Sequence, residues 1–134
     1  MERINTKDFI FFNKHVEYCP PGWTNVNGVW YPLGFKVVDV KNRSLGLRNN
    51  PNIMTFFPNV FVELPKNQTA EGSDDWGGIW SALSRSGAKT LQKHCMETWG
   101  METKLYIAAL SNPLYANSYR VKSQGIMLLE ELTG

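Results

Sequence analysis

The stretch Ile79-Trp80-Ser81-Ala82-Leu83-Ser84-Arg85-Ser86-Gly87-Ala88-Lys89-Thr90-Leu91-Gln92-Lys93-His94-Cys95-Met96-Glu97-Thr98-Trp99-Gly100 decides the fold. Its apolar opening, residues 79–83, has the length of a short strand. Ser84 or Ser86 can then cap a helix and Gly100 can end it. Between them Ala88, Leu91, Cys95 and Trp99 recur at helical spacing on one face. One principal helix over about 84–99 follows, set between extended segments.

Working outward, residues 104–110 read as a buried strand and Asn112-Pro113 as a turn. Residues 118–121 and 126–132 read as final strands, with a short helix as the alternative for the last. Upstream, Asn27-Gly28 has the composition of a type I′ turn and predicts a hairpin between Trp23-Thr24-Asn25-Val26 and Val29-Trp30-Tyr31. Residues 35–40 form a β-branched run, and Lys41-Asn42-Arg43-Ser44 supplies the next turn. Residues 53–57 and 60–64 predict two short strands separated by Pro58-Asn59. Residues 8–18 read as a strand or an irregular extended segment stopped by Pro20-Pro21-Gly22. Residues 66–78 are a long polar loop, of a length associated with mobility or function. The sum is an α+β fold: a single domain over 1–134, mostly antiparallel sheet with one principal helix packed on it.

Composition narrows the function classes. The chain has 134 residues, 43% hydrophobic and 13% aromatic, and its 19% of charged residues is below the roughly 25% of an average domain. No apolar run approaches the ~20 residues of a membrane span, and Met1-Glu2-Arg3-Ile4-Asn5 does not resemble a signal peptide. A cytoplasmic protein with no membrane partner is expected. Cys19 and Cys95 are therefore read as reduced thiols. Neither they nor His15 and His94 have metal-ligand spacing, so no metal or cofactor is expected. A net charge of +2 is thin for nucleic acid, which ranks below other partners.

Four constellations carry candidate chemistry. At the helix start, Arg85, Lys89 and Lys93 recur at i, i+4 and i+8 beside unpaired backbone N–H groups, an arrangement suited to phosphate. At about 100° per residue this stripe is centred roughly 115° from the apolar face. A solvated basic face is the alternative. In Tyr115-Ala116-Asn117-Ser118-Tyr119-Arg120-Val121-Lys122, a strand puts Ser118, Arg120 and Lys122 on one face, where they can hold phosphate while Tyr119 stacks on a base. The alternative is an edge strand kept soluble by its charges. In Asp74-Asp75-Trp76-Gly77-Gly78-Ile79-Trp80, Gly-Gly permits close backbone approach; Trp76 is the expected contact residue and Trp80 the expected core residue. Arg43-Ser44-Leu45-Gly46-Leu47-Arg48-Asn49-Asn50-Pro51 reads as a structural turn, with a basic lid as the alternative.

Gly78-Ile79-Trp80-Ser81-Ala82, Ser86-Gly87-Ala88-Lys89-Thr90-Leu91, Lys104-Leu105-Tyr106-Ile107-Ala108 and Asn112-Pro113-Leu114-Tyr115 together resemble the strand–helix–strand core of ADP-ribosyltransferase-type folds. The resemblance implies a nucleotide site. If it extends to catalysis, it implies roles for Ser84, Ser86, Glu130 and Glu131, although the two acids are adjacent rather than separated by one residue. In overall type the chain is also similar to small phage-encoded counter-defence proteins, which act in the host cytoplasm. The leading expectation is a non-catalytic binding protein for a phosphate-bearing nucleotide-like ligand. Arg85, Lys89, Lys93, Arg120, Lys122 and Ser118 would meet phosphate, and Tyr119 and Trp76 would stack. The alternative is an inhibitor or assembly subunit that binds a protein target through an aromatic surface. A homo-oligomer is compatible with either.

Overall fold

The computed structural model describes residues 20–45 and 53–133 in full, together with the backbone of three short strands before them. These are β1 (Arg3–Ile4), β2 (Ile10–Asn13) and β3 (Val16–Tyr18). Then follow β4 (Trp23–Val26), β5 (Val29–Asp39), β6 (Phe61–Glu63), β7 (Ile79–Ala82), α1 (Arg85–Trp99), β8 (Thr103–Ala116) and β9 (Arg120–Leu132). Among the described residues all strand pairings are antiparallel and there is one α-helix, so the architecture is α+β, an antiparallel sheet with a helix on it.

The hairpin at Asn27-Gly28 forms because both residues take positive φ, 53° and 87°, as a type I′ turn requires. The Gly28 N–H also donates to Asn25 Oδ1 at 3.0 Å. Its second strand does not stop at Tyr31. β5 runs on to Asp39, pairing first with β4 and then with β8. The turn after it is built by Asp39, whose Oδ1 accepts from the N–H groups of Lys41 and Arg43, both at 2.8 Å.

Several boundaries differ from the sequence reading. Residues 8–18 contain two paired strands, β2 and β3, rather than one segment. Residues 53–57 contribute only an isolated bridge, Thr55 with Arg43. Asn112-Pro113 is not a turn between strands, because β8 passes straight through it. Asn112 takes φ 45° and the ladder slips between Pro113 and Tyr115. Such a bulge accommodates a proline that has no N–H to offer. The two predicted final strands are one, β9.

Four strands close a ring of ladders: β5 pairs with β8, β8 with β9, β9 with β7, and β7 with β5. The ring has two cores. Val38, Ala108, Leu110, Val121, Ile126 and Leu128 fill its inside. On the outside, Val37, Leu105 and Ala88 pack together, joined by Phe35, Ala82, Leu91 and Leu132. The helix thus sits on the outer face. Ser84 caps it, its hydroxyl accepting from Gly87 N–H at 3.0 Å, and Gly100 closes it in the left-handed region. Ala88 and Cys95 are fully buried beneath it, but Trp99 is 54% exposed. Periodicity gives a side chain its azimuth, not its axial position: the whole last turn, residues 96–99, is exposed.

The weakest ladder positions the site. β5 and β7 share only the pair Phe35–Ala82, after which they splay.

Candidate functional site

The splay opens into a cavity of about 480 Å³. Three consecutive β5 residues, Phe35, Lys36 and Val37, line it, and so do all four residues of β7. Neighbours on a strand point to opposite faces, so a space touched by all of them must run along the strand edges. The cavity is therefore a seam between β5 and β7, reaching from the helix groove toward the ring interior. Leu45, Met54, Gly87, Thr90 and Leu91 complete its largely apolar wall.

Two buried polar groups face this seam. Lys36 is 9% exposed, and its ammonium donates to the Trp80 carbonyl at 2.7 Å. It fills the gap where the ladder between β5 and β7 has ended. It also lies 5.7 Å from the centre of the Phe56 ring. Burial pushes its pKa down from the usual 10.5 to about 8. Ser81, the residue before Ala82 on β7, lines the same cavity and lies against Gly34 of β5. Its Oγ is buried and has no hydrogen-bond partner among the described residues.

Arg120, Tyr119, Asp75 and Trp80 form the mouth. Asn117 sets the turn, its Oδ1 accepting from the N–H groups of Tyr119 at 2.8 Å and Arg120 at 2.9 Å. Leu83 N–H then ties the Tyr119 carbonyl to the end of β7 at 2.9 Å. The Arg120 guanidinium lies 3.8 Å above the Trp80 ring and 3.6 Å from Asp75 Oδ1. Trp80 is held in turn, donating from Nε1 to the Asp75 carbonyl at 3.0 Å and meeting Tyr115 edge-on at 6.0 Å. Tyr119 is 80% exposed, a free aromatic face at the rim.

Lys122 shares its strand face with Arg120 but is fully buried. Its ammonium donates to the carbonyls of Asp74 at 3.0 Å and Trp76 at 3.1 Å. Burial pushes its pKa down, Asp74 and Asp75 pull it up, and Arg120 lowers it, with a net fall. This lysine clamps the loop, and the Gly77-Gly78 pair serves the same packing. A Cβ on Gly78 would collide with the Lys122 stem, and one on Gly77 would come within 2.6 Å of Ala70 N.

The basic stripe stands apart from the cavity. With Ala88 as the origin and about 100° per residue, Leu91, Gly87 and Thr90 fall at about −60 to −160° and Arg85, Lys89 and Lys93 at about +60 to +140°. The two sets flank opposite sides of the helix's buried face. Arg85 donates to the Thr133 carbonyl at 3.3 Å, and Lys93 lies 3.8 Å from Glu97. Ser118 is exposed in the turn before β9 and does not line the cavity. Trp76 is 46% exposed and outside the lining, whereas Trp80, read as core, lines it. Ser84 is occupied as the helix cap, with Ser86 Oγ at 3.3 Å from it. Glu130 and Glu131 are exposed and away from the cavity, whose one carboxylate among the described residues is Asp75. His15, Cys19, Arg48 and residues 46–52 lie outside the described residues. Cys95 is a free, buried thiol whose pKa burial raises. Among the described residues no group of His, Cys, Asp and Glu could hold a metal, and no helix is long and apolar enough to cross a membrane.

The sequence reading missed Lys36 and Ser81. A signal for Lys36 was present: it is the one charge inside Leu33-Gly34-Phe35-Lys36-Val37-Val38. Compared with protein-family models, curated proteins and solved structures, the chain matches none.

Proposed function

We propose that the protein binds a small phosphate-bearing, nucleotide-like ligand, with its ring system in the seam cavity and its phosphate at Arg120. The observation that carries this reading is the 480 Å³ apolar seam with one guanidinium held at its mouth. Its volume falls within the roughly 300–1,000 Å³ of small-molecule sites, and a few placed polar groups in an apolar wall are their usual lining. Arg120 is turned to the mouth by Asn117 and Trp80, so little side-chain freedom remains to be lost on binding. An incoming phosphate would exchange with Asp75 for the guanidinium. Tyr119 offers a stacking face at the rim. Binding without turnover fits sequestration of a nucleotide signal.

The test is thermal unfolding against NAD, ADP-ribose, cyclic di- and trinucleotides and short RNA. A ligand at 100 times its Kd adds about 2.7 kcal/mol, a shift of several degrees in a domain this size. A selective shift that Arg120→Gln abolishes supports the reading. A flat panel on folded protein refutes it.

A second reading, a protein-binding inhibitor or assembly subunit, draws on a different surface. Val40 and Met96 are 49% and 46% exposed around a shallow hollow at the far end of the helix, and Trp99 follows one turn on. A stoichiometric complex that survives high salt would favour it, because phosphate contacts weaken steeply with salt.

A further inference from the structure

We propose that Lys36 is a covalent capture site: its amine condenses with the carbonyl group of a small molecule in the seam cavity to form a reversible imine. This rests on the reading of the seam as a ligand cavity and deepens it, since it names the reactive group the ligand must carry. The ligand class is an aldehyde or ketone that also bears an anionic group for Arg120.

Three features of the seam support this. First, Lys36 lines the cavity, and its ammonium is held by the carbonyl of Trp80, another residue of the same lining. Second, no carboxylate among the described residues lies within ion-pair distance of it, and its one hydrogen bond is to the Trp80 carbonyl. Buried lysines kept for stability alone are almost always paired. Third, the Ser81 hydroxyl lines the same cavity, 4% exposed and without a partner among the described residues. A buried hydroxyl left unmatched costs free energy unless something in the cavity accepts its proton. A ligand oxygen in the cavity would do so.

The chemistry balances without a further reagent. The neutral amine's lone pair attacks the carbonyl carbon, and the C=O π pair moves to oxygen. A proton passes from nitrogen to that oxygen, giving a carbinolamine in the cavity that the Ser81 hydroxyl also lines. Loss of water then forms the C=N bond, and hydrolysis reverses it. Desolvation in an apolar pocket is a recognised way to activate lysine for this chemistry. With its pKa near 8, Lys36 at pH 7.5 holds about two hundredfold more neutral amine than an ordinary lysine.

The experiment uses 4-formylbenzoate as probe, with sodium cyanoborohydride to reduce any imine to a stable amine. Labelled sites are read by intact mass and peptide mapping. The expected result is a single early adduct on Lys36, formed on the order of tenfold faster than on any other lysine. Ser81→Ala should slow that adduct severalfold, and Lys36→Arg should leave only slow, scattered surface labelling. Labelling of Lys36 no faster than of Lys41, Lys66 or Lys89 overturns the proposal. If Lys36→Arg fails to fold, the wild-type peptide map decides alone. 4-Methylbenzoate, which has no carbonyl to condense, separates the two readings by calorimetric titration. If it binds while Lys36 stays unlabelled, covalent capture falls and the cavity reading stands. If it does not bind and Lys36 stays unlabelled, covalent capture falls, and the nucleotide panel decides the cavity reading by itself.

Discussion

Replacing Lys36 with Met tests the electrostatics of the seam directly. Charging an amine inside the fold is unfavourable, and burial pushes the Lys36 pKa down from 10.5 to about 8. At about 1.4 kcal/mol per pH unit, the charged amine destabilises the folded chain by about 3 kcal/mol relative to the unfolded one. Below pH 8 both states are protonated and the whole penalty is present. Between pH 8 and 10.5 the folded chain has released the proton and the unfolded chain still holds it, so stability rises with pH. Lys36→Met removes the penalty but leaves the Trp80 carbonyl without its 2.7 Å donor, a loss of about 1–3 kcal/mol. At pH 7 the variant should therefore be more stable by up to about 2 kcal/mol, or several degrees in Tm. By pH 10 the neutral wild-type amine still donates while the penalty is largely gone, so the order should reverse. Urea unfolding of both proteins at pH 7 and pH 10 reads the difference. A variant less stable by the same amount at both values would refute the reasoning, because it would show an amine that is charged at no extra cost.

Gly78→Ala should destabilise by about 1–3 kcal/mol, since the new methyl collides with the buried Lys122 stem; limited proteolysis should show earlier cutting within residues 70–78. Ser84→Ala removes the hydroxyl that accepts from Gly87 N–H and should cost about 1 kcal/mol, seen as a lower Tm with the far-UV signal of the folded state unchanged. Burial raises the Asp39 carboxyl, but the Arg43 and Lys41 N–H groups and the Arg43 guanidinium outweigh it and leave its pKa below the usual 3.8. Its contribution is full above that value and is lost as pH falls through the lowered one. Asp39→Asn should flatten that part of the acid-unfolding profile and reduce stability at pH 7. Asn117→Ala should leave the melting point nearly unchanged yet weaken any ligand that depends on Arg120, because both N–H groups of that turn lose their acceptor.

Local chemistry alone settled much of the fold. Asn27-Gly28 could only be a tight hairpin, because few other pairs take positive φ twice. Ser84, Gly100 and the spacing of Ala88, Leu91 and Cys95 fixed the helix and its buried side. These signals are short in range, so they survive without knowledge of the partner. Strand continuity was not legible. Asn112-Pro113 reads as an end, and only the long β9 ladder alongside it carries β8 through as a bulge.

The site divided along the same line. The sequence placed Arg120 and Tyr119 together, since they are neighbours in one turn. It placed Lys122 with them by alternation, which is correct for the face but silent on the loop that buries it. Whether the Arg85, Lys89 and Lys93 stripe met Arg120 depended on which flank of the helix faced the ring. Periodicity does not encode that choice. Lys36 and Ser81 are 45 positions apart and line one cavity only because β5 and β7 pair at Phe35–Ala82 and then part. A ladder's end is set by the twist and curvature of the whole ring, a sum over four strands that no local window contains. The sequence by itself thus determined an α+β domain with one capped helix and a cationic turn. Tertiary structure alone decided that the ring has a seam, and that a buried amine and a hydroxyl line it.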